Sequence, residues 1–172
     1  MTQLLSLIVP AELKHPLFFS NEETILEKED YNEWNCLIQL ENFPYELFYY
    51  NKEESYLPWK DGYGHVPELL EKWKKIEAEC GLLFSERKAG LALEPMKQGI
   101  GLFLSAIYWM HGMPVVLNAW QGHVKGFTNV PVNLVERLSF ILERPAFFHS
   151  YRQLSVLFRE FEKQYVKSRM KK

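Results

Sequence analysis

A chain of 172 residues with 47% hydrophobic and 15% aromatic residues can form one folded domain without disulfide bonds or a structural metal. This composition excludes a disordered protein, which would contain more polar and charged residues. The net charge of −2 provides no bulk attraction to nucleic acid or anionic lipid. Residues 1–66 contain twelve acidic and four basic residues, whereas residues 67–172 contain ten acidic and sixteen basic residues. We interpret this difference as an acidic N-terminal layer packed on a basic C-terminal body.

The cysteines and the N-terminus favour a cytoplasmic protein. Cys36 and Cys80 are isolated and lack the paired spacing of a zinc or redox motif. The first residues have neither the basic start nor the small-residue cleavage site of a secretory signal. We therefore expect a soluble protein in a reducing cytoplasm.

The N-terminal part of the chain predicts few regular elements. Residues 1–20 are apolar but contain Pro10 and Pro16, so we expect an irregular N-terminal segment. The apolar spacing of residues 21–40 predicts one helix or two short ones. A short helical turn is expected at residues 45–51, followed by an ordered loop rich in proline, glycine and aromatic residues.

Two longer helices are predicted in the middle of the chain. Pro67 suits the first turn of a helix, and an apolar stripe continues from there to about residue 88. Residues 95–111 have apolar side chains at helical spacing and precede Gly112 and Pro114, so they predict a central helix. A helix of about 17 residues covers about 25 Å, less than the roughly 30 Å of a bilayer core, so we expect no membrane span. The small residue Gly99 indicates close packing against another helix.

The C-terminal third predicts a loop and two more helices. Residues 112–133 form the longest candidate functional loop, and Asn133 followed by Glu136 has the spacing of a helix N-cap with its acidic partner. The last helix is expected to start at Pro145, and the basic tail at residues 168–172 is expected to fray. No segment shows clear strand alternation. The predicted fold class is therefore all-α, a single-domain helical bundle of about five to seven helices over residues 1–172.

The sequence contains no complete catalytic or metal-binding motif. The nucleophile-elbow serine, the phosphate-binding Walker loop and the paired histidines of zinc proteases are absent. Glu12 and His15 have the spacing used in di-iron bundles, but this spacing occurs once and beside prolines. His111, His123 and His149 match no common zinc spacing. We therefore expect no metal and no cofactor, and we favour a binding role over catalysis.

Polar and aromatic side chains gather around the predicted end of the central helix, and we predict a surface that binds a ligand or partner at residues 108–137. Their polar tips would line a cleft, with an arginine for an anionic group. The candidate residues are Tyr108, Trp109, His111, Asn118, Trp120, Asn133 and Arg137. A structural alternative is that His111 donates to the exposed carbonyls at the helix end. In a catalytic alternative, His111 acts as an acid or base near neutral pH.

The last helix provides another alternative, which is association with nucleic acid. Its candidate phosphate contacts are the basic residues Arg152, Arg159, Lys163 and Lys167. Glu160 and Glu162 interrupt this ridge, and their presence favours an ordinary solvated face.

Four segments resemble the YpoC-like family, an uncharacterised group from Bacillus and relatives. They are FPYELFYY at residues 43–50, YWMHGMPV at residues 108–115, VPVNLVERLSFIL at residues 130–142 and FHSYRQL at residues 148–154. The family's gene often neighbours genes for DNA repair and replication, so the resemblance implies a role near DNA. It provides no established catalytic or binding residue that could be transferred to this chain.

These patterns together predict a cytoplasmic helical binding or adaptor protein. It would dock a protein partner or a small anionic ligand near residues 108–137. The alternatives are a small enzyme that uses His111 as acid or base, and a nucleic-acid-associated protein that uses the basic C-terminal helix.

Overall fold

The protein is mostly helical in the residues that the computed structural model describes, which are 2–35 and 42–170. These residues contain one pair of β-strands and six α-helices. The elements are β1 (Leu4–Ile8), β2 (Glu23–Glu27), α1 (Pro44–Tyr50), α2 (Gly62–Ser85), α3 (Leu93–Met110), α4 (Trp120–Lys125), α5 (Leu134–Glu143) and α6 (Phe148–Met170). The predicted helical class and the predicted number of helices are confirmed. The contacts divide the chain into two compact units, Met1–Leu69 with Leu104–Trp120, and Leu70–Phe103 with Gln121–Lys172.

The first unit contains an antiparallel β-hairpin that the sequence analysis missed. Leu4 pairs with Glu27 and Ile8 pairs with Glu23, and Leu7 and Leu26 are buried. The prediction of an irregular segment at residues 1–20 was therefore wrong at β1, and the helix predicted from residue 21 was wrong at β2. The cross-strand hydrogen bonds join residues far apart in the sequence, so a search for local helical spacing did not detect them. Residues 36–40 of that predicted helix lie outside the described residues.

The second unit has an aromatic centre contributed by α2, α3 and α6. The Trp73 ring of α2 stacks on Phe158 of α6, with ring centroids 4.4 Å apart and an angle of 9° between the planes. The edge of Phe103 from α3 meets the same Phe158 ring at 5.1 Å. The close packing predicted at Gly99 is confirmed, because a Cβ atom there would lie 2.5 Å from Trp73.

Helix boundaries differ from the predicted ones where proline served as the start signal. α2 begins at Gly62, so Pro67 lies inside the helix, and α6 begins at Phe148 after Pro145. Proline restrains the backbone to helical φ values, but it does not determine which residue begins the helix. α6 is helical to Met170. The fraying expected at residues 168–172 stays a prediction.

The central helix and the loop after it correspond more closely to the prediction. α3 extends from Leu93 to Met110, close to the predicted residues 95–111. α4 lies inside the segment predicted as a loop. No helix in residues 2–35 and 42–170 combines the length and the apolar character that crossing a membrane requires.

Substitution of Gly62 by alanine tests the close approach between the first residue of α2 and the last turn of α3. A Cβ atom at this position would overlap the backbone carbonyl of Trp109, and backbone atoms cannot rotate away. We expect Gly62→Ala to lower the free energy of unfolding by about 1–3 kcal/mol, measured by urea denaturation.

Gly122→Ala is the matched control, because Gly122 lies in α4 and, apart from its chain neighbours and the backbone of its own helix, a Cβ atom there meets no atom of the described residues within 4 Å. The control should leave the free energy of unfolding unchanged or raise it by up to about 1 kcal/mol. A Gly62→Ala protein as stable as the wild type would contradict the packing described here.

Candidate functional site

The aromatic residues predicted to bind a ligand lie mainly in the interior of the first unit. Tyr108, Trp109 and Trp120 are buried. The Tyr108 hydroxyl donates a hydrogen bond of 2.8 Å to the Val116 carbonyl. Trp109 Nε1 donates a hydrogen bond of 2.8 Å to a carboxylate oxygen of Glu46. The polar atoms of Tyr108 and Trp109 therefore bind groups of the protein itself.

His111 and Asn118 lie on the segment that follows α3. Gly112 adopts a left-handed conformation with φ 71°, and the backbone nitrogens of Gly112 and Met113 donate to the carbonyls of Trp109 and Tyr108. This is a Schellman ending, which satisfies carbonyls that the helix leaves open. His111 is half-buried, and its Nδ1 lies 2.7 Å from the Ile107 carbonyl, to which it donates. The Asn118 side chain is exposed.

Asn133 and Arg137 belong to the second unit, whereas the other five candidate residues belong to the first. Asn133 is the N-cap residue of α5, as predicted, but its side chain makes no capping hydrogen bond. Arg137 Nη1 donates to Glu160 at 2.6 Å and to the Val132 carbonyl at 3.0 Å. The ligand-binding role of all seven residues stays a prediction.

The sequence analysis missed Glu46, whose carboxyl group lies in the interior of the first unit with no exposed surface. Its Oε2 accepts hydrogen bonds from Trp109 Nε1 at 2.8 Å and from the backbone nitrogen of Val115 at 3.1 Å. Its Oε1 has no hydrogen-bond partner within the described part of the chain. Glu46 therefore joins α1 to the last turn of α3 and to the segment after it.

The environment of Glu46 favours the protonated carboxyl group. Burial raises its pKa to about 7, although the hydrogen bonds from Trp109 and Val115 lower it. Burial likewise raises the pKa of Tyr50, whose hydroxyl donates to the Val115 carbonyl at 3.1 Å. A sequence signal did exist, because Glu46 is the single acid in the aromatic run FPYELFYY.

His65 is a second buried polar residue that sequence reasoning missed. Its ring stacks on Trp34 with centroids 4.1 Å apart, and its Nε2 lies 2.7 Å from the Tyr56 hydroxyl oxygen. Burial lowers the pKa of His65, although nearby Asp61 and Glu68 raise it. The neutral imidazole therefore suits a packed aromatic cluster.

An exposed basic face occurs on α6 in the second unit. Arg152, Arg159, Lys163 and Lys167 are all exposed. Successive members are separated by seven or four residues, so they form one stripe along the helix. None of these four side chains forms an ion pair within residues 2–35 and 42–170.

The two acidic residues of α6 pair with basic residues of other helices. Glu160 accepts the hydrogen bond from Arg137 of α5 at 2.6 Å, and Glu162 lies 3.7 Å from Lys74 of α2. The interruption predicted from the sequence is therefore weaker than expected, because each acid has a cationic partner outside the stripe. These pairs are partly exposed, so their main effect is on the local charge rather than on stability.

A cavity of about 690 Å³ lies beside the N-terminal half of α6. Its lining comes from α5 and α6 and combines apolar, aromatic and basic side chains. The lining residues are Phe140, Phe148, His149, Arg152, Gln153 and Val156. This cavity therefore adjoins the basic stripe at Arg152.

The fold and these surfaces define a mostly helical protein with a basic face on its C-terminal helix. The sequence model of the YpoC-like protein family matches residues 64–172, so the chain belongs to this family. The uncharacterised protein YpoC of Bacillus subtilis (strain 168) is 36% identical over 112 residues, which are 64% of this chain and 68% of that protein. No solved structure matches the chain. The matched region includes α3, α5 and α6, whereas Glu46 lies before it.

Substitution of Glu46 by glutamine tests the state of the buried carboxyl group. The folded pKa of about 7 exceeds the ordinary value of 4.5, so the folded protein binds the proton more tightly. This contribution to stability is full below about pH 4.5 and is lost as the pH rises through about 7. The loss corresponds to about 3 kcal/mol. Glu46→Gln retains an acceptor for Trp109 but cannot ionise, so its stability should fall less between about pH 5 and pH 8.

The measurement is urea denaturation at a series of pH values. Glu54→Gln, which changes an exposed glutamate, should retain the wild-type pH profile. Parallel pH profiles for the wild type and Glu46→Gln would show that Glu46 is not the group that titrates.

Proposed function

We propose that the protein binds nucleic acid through the phosphate contacts of the basic face of α6. The observation that carries this proposal is the pairing of Glu160 with Arg137 and of Glu162 with Lys74. These pairs weaken the competition from the acids of the same helix for the stripe Arg152, Arg159, Lys163 and Lys167, although Glu162 lines one groove together with three of these cations. When lysine and arginine side chains contact phosphates, they displace the cations that are condensed on the nucleic acid. The release of these cations is the main source of affinity.

The geometry of the stripe suits a linear polyanion. From residue 152 to residue 167 a helix rises about 22 Å, so the four cations can contact several phosphates along one strand. The residues of α6 that face the interior, such as Leu154, Phe158 and Phe161, are buried and hold the helix in place. The binding face therefore rests on a rigid element, which limits the entropy lost on association.

The α6 face is preferred to the surface predicted at residues 108–137. Tyr108 and Trp109 direct their polar atoms to Val116 and Glu46, so they provide less for an external partner. The proposal concerns binding alone and assigns no chemical step to His111.

Salt dependence is the most direct test of phosphate contacts. With four contacts, the affinity should fall by about 50-fold for a labelled single strand and by about 150-fold for a labelled duplex as salt increases from about 50 mM to about 200 mM. Arg159→Gln/Lys163→Gln removes two contacts and should reduce the slope of log affinity against log salt by about 1 for each contact. Fluorescence anisotropy measures both quantities.

Lys75→Gln/Arg87→Gln is the matched control, because it removes two exposed cations of the same unit outside α6. The control should keep the wild-type salt slope. Equal slopes for the wild type and Arg159→Gln/Lys163→Gln would refute binding through this face, as would an affinity that does not change with salt.

A further inference from the structure

We propose that the preferred ligand is single-stranded nucleic acid, whose unpaired bases stack on Phe147 and Phe148 at the N-terminal end of α6. This inference rests on the proposed function and specifies its substrate class. The two rings are unusually open for phenylalanine, with 53% of Phe147 and 48% of Phe148 exposed. An exposed aromatic ring provides a face for a base, and such stacking accepts any base.

The chemistry around the two rings matches a nucleotide rather than an apolar peptide. The Arg144 guanidinium carbon lies 5.7 Å from the centre of the Phe147 ring, and that of Arg152 lies 5.9 Å from the centre of the Phe148 ring. Both arginines are exposed, so each can contact a phosphate while it remains against a ring. A nucleotide has the matching arrangement, with an aromatic base that can stack on the ring and an adjacent phosphate that can bind the arginine.

The cavity beside α6 provides the space for a base that leaves the stack. Its volume of about 690 Å³ lies within the range of small-ligand sites. Phe148 supplies one wall, and His149 and Gln153 supply polar atoms that can meet the edge of a base. Nothing in this lining requires one particular base, so we expect weak sequence preference.

The two rings lie next to the basic stripe, so one strand can stack its bases on the rings and place its phosphates on the stripe. Arg152 lines the cavity and is also the first cation of the stripe. A strand whose phosphates follow Lys167, Lys163 and Arg159 therefore reaches Arg152 and the two rings without a change of direction along α6. The first turn of α6 contains no acidic residue that would repel it.

Duplex nucleic acid lacks the exposed base faces on which these two rings would stack. The bases of a duplex are stacked on one another, so their faces are not available to a side chain. A duplex can contact the cations of α6, but it cannot contact both rings without unstacking at a cost of a few kcal/mol. The structure therefore favours a single strand over a duplex.

The test compares a short labelled oligothymidine with a labelled duplex of the same length by fluorescence anisotropy. Phe147→Leu/Phe148→Leu keeps apolar volume but removes the aromatic faces. We expect its affinity for the single strand to fall about 10-fold or more, because stacking contributes about 1–3 kcal/mol per base. Its affinity for the duplex and its salt slope should stay at the wild-type values.

Three further variants make the result specific. Phe147→Trp/Phe148→Trp restores aromatic faces and should keep the affinity for the single strand. Phe147→Leu alone should reduce that affinity in part, and it avoids Phe148, which also contacts Phe84 with ring centroids 5.7 Å apart. Val132→Ala removes another exposed apolar side chain, 73% exposed, and should change neither affinity.

The outcomes separate this inference from the proposed function. If Phe147→Leu/Phe148→Leu binds both ligands as the wild type does, or weakens both equally, base stacking is overturned while phosphate binding through α6 stands. Stronger wild-type binding to the duplex, or to an acidic peptide with one phenylalanine, also overturns it. If the wild type binds neither nucleic acid, the proposed function itself is refuted.

Discussion

The stacked rings of Trp73 and Phe158 set the rotation of α6 about its own axis, and the character of its outer surface depends on that rotation. Each helical residue turns the side-chain direction by about 100°. When Phe158 is fixed against Trp73, Arg159 and Lys163 are exposed to solvent. The intervening acids then lie beside α5 and α2, where Arg137 and Lys74 pair with them. The basic face is thus a consequence of aromatic packing together with two charge pairs.

The first unit depends on a different constraint, the buried carboxyl group of Glu46. A carboxylate removed from water without a cationic partner is costly, so the protonated form is favoured until the pH exceeds about 7. The hydrogen bonds to Trp109 and Val115 hold the segment after α3 against α1. They account for the burial of Trp109, which the sequence had suggested as a ligand contact. They also assign Glu46 a structural role, separate from the surface of α6.

Local periodicity was sufficient to predict α3 and α6, because their apolar spacing agrees with their tertiary packing. It was insufficient for β1 and β2, since a strand pair depends on partners that local spacing does not show. The four stripe residues Arg152, Arg159, Lys163 and Lys167 could be named from the sequence. The pairing of Glu160 and Glu162 could not, because it requires the positions of α2 and α5. The exposure of Phe147 and Phe148 could not be predicted from the sequence either, because phenylalanine is usually buried.

The central claim is that the outer face of α6 is the binding surface of this protein. Amide chemical shifts recorded by NMR at low salt, with and without a short single-stranded oligonucleotide, test it most directly. The account predicts the largest shift changes at residues 147–152 and at the exposed positions between Arg159 and Lys167. Largest changes at residues 108–120, with α6 unaffected, would contradict it and would favour the surface at the end of α3.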